Sequence, residues 1–281
     1  MAAKSSKVTA KTPKKPKAEP AAPVKVVKSA KAKAPAARMS LAEAMSALEK
    51  AGTAQTRKTW LRHGAEEPIF GVLFSEFAKL RKRIGVDHEL AVALWGTRNS
   101  DARILAVKIA DPARFSAADL DRWARDVRWP MLVDYVAQLA SEGPHALATA
   151  EAWTPVADEQ RGRAGWTLVG VLALRDADTP DAWYAARLAE IEARIRTAPN
   201  GQRAAMNHAL ISIGGRSPAL RDAALATAKR LGKVEVDHGD TSCKTPDAAG
   251  YVEKMWAHAK AKGFATPAAQ ERTREVLRTR C

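Results

Sequence analysis

The sequence is poor in cysteine and in aromatic residues. Of 281 residues only two are Cys, and Phe, Trp and Tyr together make up 6% of the chain. Cys243 and Cys281 lie far apart and belong to no Cys-x-x-Cys pair or His/Cys spacing suited to zinc. We therefore expect reduced thiols and no metal site.

Long apolar runs and glycine-rich phosphate loops are also missing. No stretch is apolar enough to cross a bilayer, and the N-terminus lacks the apolar segment of a secretory signal. Gly214 and Gly215 fit a helix-ending turn, so there is no nucleophile elbow. The absence of phosphate loops argues against nucleotide-driven chemistry. We expect a cytoplasmic, nucleoid-associated monomer with no cofactor and no membrane contact.

Acidic residues are scarce at the start of the chain. Residues 1–38 hold 11 of the 46 Lys and Arg residues, a single acid, Glu19, and five prolines. Such a segment cannot bury enough apolar surface to offset its ordering entropy, so residues 1–38 are predicted to be a disordered basic tail. Lysines that meet phosphates release counterions, which makes nucleic acid the expected partner. A membrane surface is the competing polyanion, but the tail has no apolar face to insert.

The remaining residues show recurrent helix-start signals. Ser40 and Glu43 have the spacing of a capping box, which predicts a helix that ends near Ala51. No segment alternates as a strand, and Lys233–Val236 is the only candidate. We predict an all-α protein, either a bundle or a solenoid of stacked hairpins, with residues 39–240 as the main domain and 241–281 as a helical extension. Further starts are expected at Ser75, Asn99, Ser116, Thr179, Ser217, Thr245–Asp247 and Thr266.

The stretch from Trp123 to Asp134 combines aromatic, cationic and acidic side chains, with Arg163 about one helical hairpin further on. Side chains of these three kinds can together bind a base or sugar beside a phosphate. A tryptophan at the start of an amphipathic helix is also a common core anchor, so both interpretations stand. Basic residues recur near helix starts, which a basic concave surface would explain, while a solvated helix face is the alternative for each single residue: Arg57, Lys58, Arg62, Arg81, Lys82, Arg83 and Arg98.

Two further groups are unusual. The segment Val236–Pro246 concentrates His238, two acids and Cys243, which suggests either a weak metal site or a turn that holds the C-terminal helices in place. His208 lies on a predicted helix among apolar neighbours, where a lone histidine is more often a core or groove residue than a catalyst.

Five short runs resemble the bacterial DNA alkylation repair family of HEAT-like repeat proteins. They are Trp60–Gly64 with Glu67–Gly71, His88–Trp95, Asp101–Ala106, Arg163–Gly165, and Val236–Asp240 continuing through Lys244–Asp247. The likeness covers roughly residues 57–260, and it implies a HEAT-like α-α superhelix of stacked helical hairpins. Members with known activity are DNA glycosylases that remove cationic N3- and N7-alkylated purines from duplex DNA without a metal.

The resemblance implies roles for single residues. Asp134 takes the position of the catalytic carboxylate, Arg163 that of an arginine on DNA, and Trp60 that of an aromatic near the lesion. The chain departs from the family at both aromatic walls: Trp129 lies five residues before Asp134 rather than four, and His208 stands where a tryptophan is usual.

We therefore expect a DNA-binding alkylation repair protein with Asp134 as catalytic carboxylate. Its expected DNA-binding residues are Trp129, Arg163, Trp60, His208 and Arg128. The alternatives are a non-catalytic HEAT-like DNA-binding or scaffold protein, and a helical repeat that binds proteins.

Overall fold

The computed structural model describes Ala2 and residues 38–280. Residues 38–280 form one compact unit. The prediction of a disordered tail falls on residues outside the described range. None of the described helices is long and apolar enough to cross a membrane.

Fourteen α-helices make up the described part of the chain. Apart from one isolated bridge between Gly52 and Val72, residues 38–280 contain no β-structure, so the all-α prediction is confirmed and Lys233–Val236 is irregular. The helices are α1 Leu41–Ala51, α2 Ala54–Arg62, α3 Phe74–Ile84, α4 His88–Gly96, α5 Ser100–Ile109, α6 Ala117–Arg125, α7 Pro130–Ala140, α8 Ala146–Trp153, α9 Glu159–Arg175, α10 Asp181–Arg194, α11 Asn200–Gly214, α12 Pro218–Leu231, α13 Ala248–Ala261 and α14 Pro267–Arg272.

Side-chain caps begin six of these helices where the sequence predicts them, at Ser40, Asn99, Ser116, Ser217, Asp247 and Thr266. The start expected at Thr179 is one residue early, because α10 begins at Asp181 after Pro180, which supplies no side-chain cap. The Glu43 amide donates to Ser40 Oγ at 3.2 Å, and the Glu43 carboxylate accepts from the Ser40 amide at 2.8 Å, which completes the capping box. The expectation that Ser75 begins α3 is wrong. That helix begins one residue earlier, at Phe74, after Leu73, whose side chain makes no cap hydrogen bond.

The helices stack as antiparallel hairpins in two layers. Helices α5, α7, α9, α11 and α13 form the inner layer, in which each helix packs on the next. Helices α4, α8 and α12 pack against their inner partners, and α6 packs against both α7 and α9. This repeated arrangement confirms the predicted HEAT-like superhelix and rules out a simple bundle.

Aromatic side chains fill the N-terminal half of the core. Trp123 is 2% exposed and stacks on Trp95 with ring centroids 3.9 Å apart. The guanidinium of Arg103 lies over the Trp95 ring, 5.0 Å from its centroid. Trp123 is therefore a core anchor and not part of a surface that binds a base or sugar.

The loop before α3 is held by a buried carboxylate on α5. Asp101 accepts the backbone N–H groups of Phe70, Gly71 and Val72 at 2.6, 2.9 and 3.1 Å. Burial raises the pKa of the Asp101 carboxyl, and the three N–H donors act in the opposite direction. The Glu67–Gly71 run and Asp101, both recognised in the sequence, thus meet in one structural contact.

A glycine lets α9 and α11 approach closely. A Cβ atom at Gly162 would lie 2.2 Å from Nε2 of Gln202 on α11. The same amide nitrogen donates to the carbonyls of Val156 and Asp158, each at 3.1 Å, and so ties α11 to the start of α9. This close packing brings the α11 face that carries His208 next to the α9 face that carries Arg163.

A candidate DNA-binding groove

Asp134 and Arg163 form the central contact of the candidate site. Asp134 lies in the second turn of α7, and Arg163 lies in the second turn of α9. Arg163 Nε is 3.0 Å from Asp134 Oδ1, and Nη2 is 2.7 Å from Oδ2. Such a two-point contact is among the strongest that a carboxylate makes in proteins.

A hydroxyl completes the surroundings of the carboxylate. Thr167, one turn after Arg163 on the same face of α9, donates to Asp134 Oδ1 at 2.9 Å. The side chain of Asp134 is 28% exposed and that of Arg163 is 15% exposed. The pair is therefore partly open to solvent, and a ligand can reach it.

A groove of about 560 Å³ opens beside this pair. Its wall includes residues from the first two turns of α7, α9 and α11: Pro130, Glu159, Gln160, Arg163, Asn200, Gly201 and Ala204. The positive ends of three helix dipoles therefore converge on the groove. Trp129, which precedes α7, supplies no side-chain cap, so this end remains suited to an anionic group. Asp158 caps α9, and the Glu159 carboxylate accepts the Gly201 amide in the first turn of α11 at 2.6 Å.

Two loops close the groove on either side. One side is formed by Arg62, the last residue of α2, with His63 and Gly64, and the other by the segment 236–246 between α12 and α13. Among the groove-lining residues, three permanent cations, Arg62, Arg163 and Lys244, face two acids, Glu159 and Asp237.

The basic concave surface expected from the sequence is only partly present. Of the seven basic residues cited for it, Arg62 lines the groove. Arg57 pairs instead with Glu67, and Arg81 pairs with Glu275 at 2.6 Å. The other six of these basic residues do not line the groove.

The segment 236–246 is anchored on α11. The Asn200 side chain donates to the Asp237 carbonyl and accepts from the Asp237 amide, both at 2.8 Å. Asn207 Nδ2 donates to the Pro246 carbonyl at 2.9 Å, and His238 Nε2 lies 3.0 Å from Thr245 Oγ1. These contacts fit the sequence interpretation of a turn that packs the C-terminal helices, and they fix the second wall of the groove.

The residues 236–246 do not form a metal centre in this arrangement. In the part of the chain that the structure describes, no three His, Cys, Asp or Glu side chains come close enough to hold a metal ion. Cys243 is a free, exposed thiol.

His208 forms part of the groove wall on α11. His208 is exposed at the groove wall, and partial desolvation by the surrounding protein atoms lowers the pKa of its ring. The positive charges of Arg163 and His238 lower the pKa further, whereas Asp134 raises it. His208 is therefore neutral near pH 7 and can both donate and accept a hydrogen bond.

The other residues expected at the site have different surroundings. Trp129 is 1% exposed, and its ring lies 5.9 Å from that of Trp60. Trp60 is partly buried and donates from Nε1 to the Val72 carbonyl at 3.0 Å. Arg128 is exposed and donates to the carbonyls of Arg125 and Val127. None of these three side chains lines the groove in this conformation, whereas Arg163 and His208 do.

Sequence reasoning did not single out several residues in and beside the groove. Thr167, which contacts Asp134 beside the groove, could have been found from its position one turn after Arg163. Asn200 carries no local signal, because its contact with Asp237 joins residues 37 positions apart. His63 and Lys244 occur within the runs that resemble the family, but only the fold brings them to one groove.

Comparison with known proteins identifies the family. The family model described as DNA alkylation repair enzyme matches residues 44–251. This chain belongs to the DNA alkylation repair enzyme family.

The relatives of this family member include two curated proteins of Listeria. The uncharacterized protein Lmo0209 of Listeria monocytogenes serovar 1/2a is 28% identical over 207 residues, which span 71% of this chain and 89% of the relative. The uncharacterized protein Lin0241 of Listeria innocua serovar 6a is 29% identical over 207 residues, which again span 71% of this chain and 89% of the relative.

A solved structure is also similar to this alkylation repair family member. It is described as a member of a new family of proteins related to the HEAT-like repeat DNA glycosylases with affinity for branched DNA structures. Its TM-score is 0.73 at 30% identity, and the match covers 80% of this chain and 95% of that one.

Proposed function

We propose that this family member binds DNA in the groove between Arg62–Gly64 and residues 236–246, with a preference for DNA in which bases are unpaired or the helix branches. The observation that carries the proposal is the convergence of three helix N-terminal ends with Arg62, Arg163 and Lys244 in one groove. Phosphate groups bind at such helix ends through backbone N–H groups and the local positive potential.

The preference for open or branched DNA has two supports. The groove has a volume of about 560 Å³ and two walls, which suits a single strand or a strand junction better than a continuous duplex. The similar solved structure belongs to proteins with affinity for branched DNA structures.

Equilibrium binding tests this function. The full chain should bind a four-way junction more tightly than a duplex of the same length, and Arg163→Gln should weaken junction binding. Equal affinity for both DNAs, or no effect of Arg163→Gln, would contradict the proposed use of the groove. The control variant is Arg230→Gln, which removes an exposed arginine that pairs with Glu192 away from the groove.

Base excision is the second candidate function, and the exposed edge of Asp134 favours it. A purine alkylated at N3 or N7 carries a positive charge and leaves as a neutral base when the glycosidic electron pair moves onto it. Asp134 would stabilise the developing positive charge at C1′ of the sugar, where water then adds and loses a proton. Arg163 would have to shift from Asp134 to a phosphate for this charge stabilisation to be effective.

Two features of the groove favour binding without hydrolysis. Arg163 and Thr167 occupy both carboxylate oxygens of Asp134, and the Trp129 ring is packed against Trp60 rather than turned to the groove. A release assay on DNA with N7-methylguanine separates the two candidates. Release by the wild type that Asp134→Asn abolishes would establish excision, and absence of release from either would leave DNA binding as the function.

A further inference from the structure

The C-terminal residues 267–280 form a segment that we call the C-terminal strap. It comprises α14 and a 3-10 turn at Leu277–Thr279, and it lies beyond the residues 44–251 that the family model matches. Its contacts are made with the inner layer of the superhelix, near the C-terminal ends of the helices.

Arg278 joins the strap to α5 and α7. Its side chain is 5% exposed, and Nη1 donates to the carbonyls of Val107 and Lys108 at the C-terminal end of α5, at 2.7 and 3.2 Å. Its Nε is 2.9 Å from Oε1 of Glu142, which follows α7. A buried guanidinium thus bridges two helix ends that carry partial negative charge.

Lys108 makes the reciprocal contact from α5. Its Nζ donates to the carbonyls of Arg278 and Arg280, both at 2.9 Å. The same ammonium group lies 4.8 Å from the ring centroid of Tyr135, the residue after Asp134 on α7. One buried cation therefore connects the strap to the turn of α7 that carries the site carboxylate.

Glu271 and Arg175 join the strap to α9. Arg175, the last residue of α9, donates to the Glu271 carboxylate at 3.2 Å and to the carbonyls of Glu271 and Arg274 at 3.1 and 3.2 Å. Arg280 pairs with the same carboxylate. The start of α14 also reaches α11, where the Ala268 amide donates to the Gly215 carbonyl at 3.0 Å.

The strap thus holds four consecutive inner helices at their C-terminal ends, whereas the groove lies at the N-terminal ends of three of them. Arg163 is about 18 Å along the α9 axis from Arg175, at the rise of an α-helix. A rotation of about 5° at the strap would displace Arg163 by about 1.6 Å over that length. Such a displacement breaks a hydrogen bond of 2.7 to 3.0 Å.

We propose that the C-terminal strap is a positioning element that sets the register of α7 and α9 and so holds Asp134 and Arg163 in contact beside the groove. Its effect on DNA rests on the proposed function, but its effect on the groove does not. Loss of strap contacts should widen the groove without removing any residue that lines it.

A distance measurement across the groove tests this directly. Spin labels on native Cys243 and on Lys58→Cys, in the full chain with Cys281→Ser, report the separation of the two groove sides. Arg278→Gln and the milder Glu271→Gln should broaden the distance distribution and lengthen its mean by about 2 Å. Glu253→Gln is the matched control, because it breaks an ion pair with Arg221 at 2.7 Å between α12 and α13, outside the strap.

DNA affinity gives the second measurement. Both strap variants should weaken binding to a four-way junction about tenfold at a temperature well below their unfolding transitions, and the control should not. Lowered melting temperatures with distances and affinities equal to the control would overturn the proposal, since the strap would then only stabilise the fold. If the wild type binds no DNA, the proposed function fails, and the distance measurement alone still decides the role of the strap.

Discussion

The guanidinium of Arg163 faces both carboxylate oxygens of Asp134, with N–O distances of 3.0 and 2.7 Å. Its five N–H donors lie in one plane, so an arginine that turns towards a phosphate must give up part of this contact. The carboxylate and a DNA phosphate therefore compete for the same side chain. This competition makes the effect of changing Asp134 predictable.

Asp134→Asn should strengthen DNA binding. The change removes a negative charge from the groove and frees Arg163 for phosphate, so the slope of log affinity against log salt should become steeper by about one unit. Fluorescence anisotropy over a salt series measures both quantities. Thr167→Val serves as control, because it removes a hydrogen bond to Asp134 without changing the charge. Weaker binding with an unchanged slope would show that Asp134 acts only through the structure of the groove.

Arg62→Gln and Lys244→Gln should each weaken DNA binding and make the salt slope shallower by about one unit. The reason is that each would release one counterion fewer when the groove meets phosphate. Both side chains line the groove from opposite loops, so similar effects of the two changes would place DNA between them. The change Arg230→Gln should leave the slope as in the wild type.

The pH dependence of stability should contain a contribution from His208. Partial desolvation lowers the pKa of His208 below its ordinary 6.5, so the unfolded chain binds more protons than the folded protein between the lowered pKa and 6.5. Stability contributed by this group is present above 6.5 and is lost as the pH falls through that window.

Urea unfolding between about pH 5 and about pH 7.5 measures this contribution, and NMR titration of the His208 ring gives its pKa. In His208→Gln the decrease in unfolding free energy towards low pH should be smaller than in the wild type. DNA binding should also favour the protonated ring, since phosphate stabilises its charge. Junction affinity should therefore rise as the pH falls in the wild type but less so in His208→Gln. A His208 pKa at or above 6.5 in the free protein would contradict this account.

Gly162→Ala should destabilise the fold by about 1 to 3 kcal/mol, because the new methyl group would meet the buried Gln202 amide. Chemical unfolding gives the free energy directly. Gly96→Ala is the control: no atom lies within 4 Å of a Cβ built at that helical glycine, so stability should be unchanged or slightly increased. Equal effects of the two changes would show that the contact between α9 and α11 relaxes without strain.

Trp129 should act through the core rather than through a bound base. Trp129→Ala should cost about 3 to 5 kcal/mol of unfolding free energy, as the loss of a buried indole does. Trp129→Phe keeps an aromatic ring and should leave DNA affinity close to that of the wild type. A large loss of junction affinity in Trp129→Phe, at unchanged stability, would instead show that the ring turns into the groove when DNA binds.

Local sequence signals predicted the helices well. The capping boxes at Ser40 and Ser116 each join residues three positions apart, so both can be predicted from the local sequence. The start of α3 was misplaced because Leu73 gives that helix no side-chain cap from which to infer it. The five short runs predicted the family and the superhelix, although they gave no distances.

The candidate site was predicted in part. Asp134, Arg163 and His208 were named from the sequence, and the first two meet at hydrogen-bond distance. Trp129 could not be assigned from its position alone, because the same tryptophan suits a core anchor and a base-stacking surface. Its burial against Trp60 depends on how α2 packs on the start of α7, which no local pattern encodes.

The sequence by itself determined that this protein is helical, where several helices begin, and which acid and arginine are candidates for chemistry, since capping and periodicity act between neighbours in the chain. Only the tertiary structure decided that Arg163 covers Asp134, that three helix ends share one groove, and that the C-terminal strap holds the other ends of the same helices. These contacts join residues 29 to 172 positions apart. These contacts form only when the hairpins stack, and the stacking depends on the packing of all the inner-layer helices together.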